Sequence, residues 1–313
     1  DVIVVGAGHA GCEAGLAAAR MGKKTLMLAT NLDTVGYLAC NPSIGGTAKG
    51  NIVKEIDALG GEMGVNTDKT LIQLRMLNRG KGPAVHCPRA QVDKYKYHAE
   101  MKKTLEGTPN LFLRQAEAAE VLHDDEKVFG VKTAQGLTYY AKAVVLATGV
   151  YLDSRIIVGE WINDVGPNGF SNAKKLTASL VEMGFDVRRF KTGTPARIHA
   201  RSVDFSKMTA QPGEPDMPPF SYMHDSLPAE QHDCYLTYTT SVTHDVIRSN
   251  IGRAPLFSGA IKGTGPRYCP SIEDKVTRFA DKDRHQIFLE REGLDTDEIY
   301  VQGMSSSMPA DVP

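Results

Sequence analysis

The chain opens with DVIVVGAGHAG (residues 1–11), followed by an Ala-rich segment over residues 12–21. The apolar run has the length of a strand, the following segment has a helical pattern, and G-x-G-x-x-G lies between them. In this context Gly6 permits a tight turn, Gly8 lets the backbone approach a pyrophosphate, and Gly11 lets helix and strand pack closely. The helix N-terminus offers N–H groups and a positive dipole end to phosphates. The stretch therefore predicts a dinucleotide-binding Rossmann half and makes an ordinary βα turn the less favoured interpretation.

The second strand of this unit is expected at residues 24–29. In the Rossmann fingerprint this strand ends in Asp or Glu, which holds the ribose hydroxyls. Here no acid stands at the strand end, and Thr30 and Asn31 follow instead. Either side chain could bond a ribose, so the pyrophosphate contact is better supported than the nucleotide contact.

Length and composition indicate an ordinary globular protein. The chain has 313 residues, 42% hydrophobic and 23% charged, with a formal net charge of −1. This length suits one large or two medium domains. The near-zero charge predicts no general attraction to polyanions, although a local basic face can exist within a neutral total. No run reaches transmembrane length and no signal peptide precedes the first strand, so we expect a cytoplasmic protein.

The cysteines are odd in number, scattered and without a C-x-x-C pair; they are Cys12, Cys40, Cys87, Cys234 and Cys269. This usage is typical of a reducing compartment with thiols, and it predicts neither a disulfide framework nor a metal site. The chain begins inside a strand without Met and ends without a closing element, so we expect a fragment of a longer protein.

Local patterns predict further elements along the chain. Helices are expected over residues 51–63, 69–77, 89–105, 171–183 and 243–251. Strands are expected over residues 111–114, 118–122, 127–133, 137–140, 143–149 and 235–239. The composition changes after the basic stretch over residues 188–201, and the Pro-rich residues 211–219 are typical of a loop or domain edge. We expect domains over residues 1–195 and 196–313, with the second domain inserted.

The strand over residues 143–149 ends in A-T-G. In two-dinucleotide flavoproteins such a strand returns beside the first one, and Gly149 would let the backbone pass near the cofactor. Its position after a three-strand meander that follows a Rossmann half favours FAD over NAD on residues 6–11.

Two cysteines have reactive settings. Cys269 precedes Pro270, and Ser271 with Asp274 has capping-box spacing, which predicts a thiol near a helix N-terminus. Arg267 and Lys275 are close in sequence, and positive charge lowers a thiol pKa. Cys40 stands in a Gly-rich loop near the expected cofactor crevice. For any single cysteine a small buried hydrophobe is the usual alternative.

The remaining cysteines provide less evidence of a functional role. We treat Cys12 and Cys87 as structural, and Cys234 gives no signal. The basic stretch over residues 188–201 could hold phosphate or be a solvated loop, and the residues alone favour neither.

Taken together, six blocks of the chain closely resemble the MnmG (GidA) family along its whole length. The blocks are GAGHAG at 6–11, CNPSIGG at 40–46, VKEIDALGG at 53–61, KGPAV at 81–85, KTGTPAR at 191–197 and GPRYCPSIEDK at 265–275. The resemblance implies an α/β fold with a Rossmann-type, glutathione-reductase-like FAD-binding domain. It also implies an inserted α+β second domain and a chain truncated at its C-terminus, without the late segments that complete the FAD site and meet partners.

The resemblance further implies FAD-dependent modification of the tRNA wobble uridine. The added group is aminomethyl or carboxymethylaminomethyl, the one-carbon donor is methylenetetrahydrofolate, NADH reduces the flavin, and the GTPase MnmE is the partner of a homodimer. The family cysteines fall on Cys40 and Cys269. The implied FAD contacts are Gly6, Ala7, Gly8, His9, Ala10, Gly11, Ala118, Gly149 and Ser171. The implied NADH contacts are Gly265, Pro266, Arg267, Tyr268, Cys269, Pro270, Ser271, Ile272, Glu273, Asp274, Lys275, Val276, Thr277, Arg278 and Phe279.

A mechanism follows as a hypothesis: a thiolate, from Cys269 or Cys40, adds to the uracil ring and makes the neighbouring carbon nucleophilic toward a flavin-borne methylene. Three alternatives remain. A flavin disulfide reductase would need a C-x-x-C or C-x-x-x-x-C pair, which is absent from the sequence. A folate- and FAD-dependent tRNA methyltransferase shares the cofactors, but the loop around Cys40 disfavours it. A flavin- or NADH-binding redox sensor would bind the cofactors without chemistry on tRNA.

Overall fold

The computed structural model describes residues 1–193, 195–228, 230–263, 265 and 270–312. The elements of the first half follow in chain order: β1 (Val2–Val5), α1 (His9–Arg20), β2 (Thr25–Ala29), β3 (Ser43–Gly45), α2 (Lys49–Ala58), α3 (Met63–Lys69), β4 (Leu71–Leu77), β5 (Cys87–Val92), α4 (Lys94–Gly107), β6 (Leu111–Gln115), β7 (Ala118–His123), β8 (Val128–Thr133), β9 (Thr138–Tyr140) and β10 (Ala143–Leu146). The described elements of the second half are β11 (Ile156–Val158), β12 (Trp161–Asn163), α5 (Lys174–Glu182), β13 (Arg197–His199), β14 (Thr209–Gln211), β15 (Cys234–Tyr238), α6 (Ser241–Ser249), α7 (Pro255–Ser258), α8 (Ile272–Arg278), β16 (Gln286–Arg291) and β17 (Glu298–Gln302).

A parallel sheet with strand order β10-β1-β2-β6 carries the opening motif. Val2 pairs with Thr25 on one side and with Ala143 on the other. Helix α1 covers this sheet with a buried stripe that includes Cys12 and Leu16. Strand β1 is inside the sheet and three of its four side chains, Ile3, Val4 and Val5, are buried, as its continuous apolar run requires. The predicted Rossmann-type α/β fold, with the A-T-G strand beside the first strand, is confirmed.

An antiparallel meander, β7-β8-β9, connects the β6 edge to β10. It packs against α5, where the Ser179 hydroxyl accepts a hydrogen bond from the backbone N–H of Val121 at 3.1 Å. The meander was predicted correctly. The helix predicted over residues 171–183 begins later, at Lys174, after Ala173 adopts a left-handed conformation. Ser171 therefore lies in the segment before the helix.

The region between β2 and β6 contains the largest errors of the sequence prediction. The helix predicted over residues 69–77 is wrong, because Leu71–Leu77 forms strand β4 and pairs with β5. The helix predicted over residues 51–63 ends early: α2 stops at Ala58, Gly60 follows with φ of +87°, and α3 begins only at Met63. The helix predicted over residues 89–105 begins only at Lys94, because residues 87–92 pair between β3 and β4 as β5.

Five of the described strands form an antiparallel sheet with order β13-β17-β16-β15-β14. One face carries an apolar core of Ile287, Leu289, Ile299 and Val301. The other face carries polar side chains. Tyr300 of β17 is paired with Arg197 of β13 on one side and with Glu290 of β16 on the other. This sheet begins at Arg197, next to the expected boundary at residues 195/196, and the two-domain division stays a prediction.

Candidate functional site

The turn between β1 and α1 requires glycine at two positions. Gly6 has φ of +106°, and a Cβ added there would lie 2.3 Å from the carbonyl oxygen of Ala147. A Cβ on Gly11 would lie 1.8 Å from the carbonyl oxygen of Gly6. Both distances are far below van der Waals contact, so a side chain at either position would force the turn, the helix or the A-T-G segment apart. These two glycines serve the fold itself.

Gly8 has a different setting. It is exposed, and a Cβ built on it would meet no atom within 4 Å. The backbone therefore borders open space at the start of α1, where helix N–H groups and the helix dipole favour a phosphate. Gly149, after β10, is also exposed with no atom within 4 Å of a built Cβ, and its φ is +58°. The cradle fits the diphosphate of a dinucleotide cofactor.

His9 stands in this turn with a mostly buried side chain. Its ring lies edge-on to Tyr97, with ring centroids 5.9 Å apart. Nδ1 is buried and makes no hydrogen bond to any described residue. Burial lowers the pKa of His9 from its ordinary value of 6.5 to about 4. The imidazole is therefore neutral at physiological pH and presents no cation to a phosphate.

The other residues implied for FAD differ in exposure. Ala7 is buried, whereas Ala10 is exposed at the first turn of α1. Ala118 is 4% exposed and packs in the core under the meander, so only its backbone is available to a ligand. Ser171 is exposed. Three residues earlier, the Asn168 amide donates to the Tyr37 hydroxyl at 2.9 Å.

The loop that carries Cys40 contacts the dinucleotide turn directly. The backbone N–H of Gly36 donates to the carbonyl of Ala7 at 2.8 Å. Cys40 follows four residues later and is exposed. Its Sγ lies 3.9 Å from the hydroxyl of Tyr300, and its carbonyl accepts a hydrogen bond from Arg197 Nη2 at 2.5 Å. The structure thus joins the first glycine motif, the Cys40 loop and the five-stranded sheet.

The partners of the Cys40 loop were missed by sequence reasoning. Arg197 belonged to the basic stretch for which the sequence left two interpretations open, and nothing pointed to Tyr300 or Glu292. Glu292 is fully buried and accepts from Arg197 Nε at 3.1 Å and from Lys94 Nζ at 2.7 Å. In the sequence Glu292 follows Arg291 directly and Glu290 by two residues, so nothing there marks it as a buried carboxylate.

The predicted capping box at Ser271 is wrong. Ser271 is the N-cap residue of α8, but its side chain makes no capping hydrogen bond. Asp274 does not reach back to the helix start, because it forms an ion pair with Arg278 at 2.8 Å one turn later. The helix itself begins at Ile272, as expected. Four residues of the predicted nicotinamide segment lie outside the described residues: Pro266, Arg267, Tyr268 and Cys269.

The described part of that segment divides into two sets. Ile272, Glu273 and Val276 are buried, and Glu273 Oε1 accepts from the backbone and hydroxyl of Ser307. Other members line an open cavity of about 480 Å³ whose rim is strongly basic. Its lining residues are Pro270, Lys275, Phe279, Lys282, Arg284, His285, Gln286, Phe288, Gln302 and Gly303.

Gly265, the first residue of the segment, is exposed, and a Cβ built there would lie 3.6 Å from Lys191 Cδ. The buried side chains of α8 are unavailable to a ligand. The cations beside them could hold an anion.

Cys12, Cys87 and Cys234 are buried, in agreement with a structural role for the first two. Burial raises the pKa of Cys12 and of Cys234 to about 12, so both remain thiols. Among the described residues, no group of three or more His, Cys, Asp or Glu side chains could hold a metal ion. Within the same residues, no helix combines the length and the apolarity that a membrane crossing needs.

Comparison with known proteins gives one consistent family. The family described as "Glucose inhibited division protein A" matches residues 1–313. A protein of Caldicellulosiruptor saccharolyticus named "tRNA uridine 5-carboxymethylaminomethyl modification enzyme MnmG" is 61% identical over 312 residues. A protein of the same name from Alkaliphilus metalliredigens is 60% identical. Each alignment covers the whole of this chain and 50% of the relative. The chain therefore spans about half the length of the curated relatives it matches.

Solved structures agree with the sequence comparison. Aquifex aeolicus GidA in its form I crystal superposes with a TM-score of 0.94 at 50% identity, covering 100% of this chain and 53% of that chain. The form II crystal gives a TM-score of 0.92 at 48% identity, covering 100% of this chain and 51% of that one. By its sequence over all 313 residues and by its fold, the chain belongs to the Glucose inhibited division protein A family.

Proposed function

We propose that the protein containing this chain is an FAD-dependent enzyme that modifies the wobble uridine of tRNA by adding an aminomethyl or carboxymethylaminomethyl group. The observation that carries this proposal is the direct contact between an open glycine cradle and the loop of an exposed cysteine, through Gly36 and Ala7. The names of relatives about 60% identical support the tRNA uridine substrate. Methylenetetrahydrofolate is the proposed one-carbon donor.

FAD is proposed to lie along the turn at residues 6–11, with its diphosphate over Gly8. When bound, it would supply the redox chemistry of the one-carbon transfer, with NADH as the electron source. Asn31 Oδ1 already accepts from the backbone of Asp33 at 2.7 Å. A ribose contact would therefore come from the Thr30 hydroxyl or the Asn31 amide nitrogen. Gly149 and the Ala118 backbone would face other parts of the cofactor, and Ser171 would add a hydroxyl.

NADH is proposed to bind along residues 265–279. The basic cavity beside α8 supports this assignment, because Lys275, Lys282 and Arg284 line it and could neutralise a nucleotide diphosphate. Since Ile272, Glu273 and Val276 are buried, the binding surface would consist of the exposed residues of the segment.

Cys40 and Cys269 are the proposed nucleophile candidates. The thiolate of one would add to the uracil ring, which would raise the nucleophilicity of the neighbouring carbon toward the incoming one-carbon unit. Cys40 is accessible for this role, since it is exposed. A homodimer in the cytoplasm, working with the GTPase MnmE on tRNA, completes the proposal.

An absorption spectrum tests the cofactor proposal. The full-length protein should purify with a flavin band that bleaches when NADH is added anaerobically. A protein without a flavin band that also fails to take up added FAD would contradict it.

Substitution of the cysteines tests the chemistry. Cys40→Ser and Cys269→Ser in the full-length protein should retain FAD and lose tRNA modification in the presence of methylenetetrahydrofolate and the GTPase. Normal modification by both variants would end the nucleophile hypothesis. NADH-dependent bleaching without any modification by the wild-type protein would support the redox sensor instead.

A further inference from the structure

We propose that Tyr300 and Arg197 position and activate Cys40: the Tyr300 hydroxyl donates a hydrogen bond to the Cys40 thiolate, and Arg197, held by Glu292, fixes the loop that carries it. The inference rests on the proposed role of Cys40 as a reactive thiol. It assigns functions to two strands, β13 and β17, that are more than 150 residues away from Cys40 in the sequence.

Tyr300 has the geometry of a donor to the sulfur. Its side chain is 2% exposed, and its hydroxyl lies 3.9 Å from Cys40 Sγ, within the range of a sulfur hydrogen bond. Burial, and next the charge of Cys40, raise the pKa of Tyr300 above its ordinary value. The phenol therefore keeps its proton when Cys40 ionises. A protonated phenol beside a thiolate can only donate, and a hydrogen bond to the charged form lowers the pKa of the thiol.

Arg197 holds the loop by its backbone. Its Nη2 lies 2.5 Å from the carbonyl oxygen of Cys40 and 3.5 Å from that of Ala39. The guanidinium carbon lies 5.0 Å from the centre of the Tyr300 ring. One planar group thus contacts both the loop and the phenol that faces the sulfur. Lysine could supply the charge but could not reproduce this planar fork of donors.

Glu292 fixes the direction of the guanidinium. It is fully buried and receives Arg197 on Oε1 and Lys94 on Oε2. The backbone N–H of Lys94 also donates to the Glu292 carbonyl at 3.0 Å. This carboxylate therefore has two cationic partners and one negative charge, which leaves a net positive charge behind the Cys40 loop.

The other charged pair facing Tyr300 comes from neighbouring strands. Glu290, opposite Tyr300 in β16, is 3% exposed and pairs with Arg89 of β5 at 2.7 Å. Burial raises the pKa of Glu290, and Arg89 opposes this shift. The charges of Glu290 and Arg89 cancel. One net positive charge therefore remains on the set of five groups, which comprises three cations and two carboxylates: Arg197, Lys94, Arg89, Glu292 and Glu290. A positive surrounding favours the thiolate form of a cysteine.

Alkylation kinetics test the Tyr300 assignment separately from tRNA chemistry. In the full-length holoprotein with Cys269→Ser, the pH profile of iodoacetamide labelling at Cys40, followed by mass spectrometry, reports the apparent pKa of that thiol. Tyr300→Phe should shift the profile to higher pH and slow labelling at pH 7 by about fivefold, the effect of one lost hydrogen bond. Tyr140→Phe, at a tyrosine that is 75% exposed on β9, is the matched control and should change nothing. An unshifted profile in Tyr300→Phe would overturn the assignment.

Steady-state kinetics test Arg197. Arg197→Ala should lower kcat for tRNA modification at least tenfold with little change in KM. Arg197→Lys should have a kcat between those of Arg197→Ala and the wild type. Arg248→Lys, at an exposed arginine of α6, is the control. If Arg197→Ala is unstable in a thermal melt, the kcat of Arg197→Lys alone tests whether Arg197 positions the Cys40 loop. A wild-type kcat in Arg197→Lys would refute that role. Full activity of Cys40→Ser would instead refute the catalytic role of Cys40 on which this inference rests, while leaving the alkylation result and the Cys269 alternative intact.

Discussion

Gly8 and Gly11 belong to one motif, yet their surroundings give them opposite roles. A side chain on Gly11 would collide with the Gly6 carbonyl, whereas one on Gly8 would enter open space. The motif therefore combines a position that the fold requires to be glycine with a position that borders open space. The order of the glycines within G-x-G-x-x-G already predicts these different surroundings, and the distances from a built Cβ agree with that prediction.

This difference predicts distinct outcomes for two substitutions. Gly8→Val should fold with a free energy of unfolding within about 1 kcal/mol of wild type and should lose bound FAD, because the side chain would occupy the diphosphate position. Gly11→Ala should lose several kcal/mol, about 3 or more, through overpacking of the turn. Urea denaturation and flavin absorbance measure the two effects. Gly107→Ala, also in open space, is the control; full FAD content in Gly8→Val would contradict the placement.

His9 predicts a pH dependence of stability. Its folded pKa, about 4, is below the ordinary 6.5, so the unfolded chain binds the extra proton in this range. The stabilisation is complete above pH 6.5 and is lost as the pH falls toward 4. Between pH 7 and pH 5 the apoprotein should lose about 2 kcal/mol more than His9→Gln does. The exposed His123→Gln should behave like wild type, and equal losses in all three proteins would show that His9 is not buried in its neutral form.

At the scale of elements, residues 69–107 show how pairing overrides local pattern. Leu71–Leu77 has enough leucine and methionine for a helix, but Ile72 and Leu74 are buried on β4 while the strand pairs with β5. Pairing supplies the hydrogen bonds that a helix would otherwise provide, and no local feature reveals the partner strand. Helix α4 begins only at Lys94, directly after its N-cap residue Asp93.

That cap is Asp93, and it predicts a measurable cost. Its Oδ1 accepts from the backbone N–H groups of Tyr95 and Lys96, and its Oδ2 accepts from Leu294 at 3.0 Å. Asp93→Ala should lower the free energy of unfolding by about 2 kcal/mol or more, since a helix cap and a buried cross-link are both lost. Asp204→Ala, which removes an exposed cap of a short 3₁₀ turn, should cost less than half as much. Equal losses in chemical denaturation would argue against the cross-link.

At the scale of the whole molecule, the segment over residues 211–224 connects the second half of the chain to the first. Asp68 accepts from the backbone N–H groups of Phe220 and Ser221 at 2.7 and 2.8 Å. Asp57 accepts from the Ser221 hydroxyl at 2.7 Å. Phe220 is fully buried and packs in the main core. The Pro-rich residues 211–219, expected to be a loop or domain edge, therefore lead into an anchored segment.

Phe220→Ala tests this anchor. Loss of a fully buried ring should reduce the free energy of unfolding by about 3–5 kcal/mol. Met223→Ala, three residues later and 75% exposed, should change it by less than about 0.5 kcal/mol. Thermal or urea unfolding of the two variants measures the difference. A small effect for Phe220→Ala would mean that the core does not depend on this segment.

The sequence by itself determined the parallel sheet, the glycine turn, the meander and the family blocks. Each depends on residues that are close along the chain: an apolar run, a glycine spacing, or alternation within one strand. Local patterns are sufficient to recognise these strands and this turn, although the sheet itself pairs strands far apart in the sequence, such as Val2 with Ala143.

Only the tertiary structure decided the partners of Cys40 and the secondary structure of residues 71–77, which form a strand and not a helix. Arg197, Tyr300 and Glu292 meet the loop through strand register in a separate sheet, and register depends on pairing across long sequence distances. The burial that keeps Tyr300 protonated and gives Glu292 its two cations likewise exists only after the sheets pack. Contacts of this kind have no signature in neighbouring residues, because the free energy that selects them comes from desolvation and pairing between distant segments.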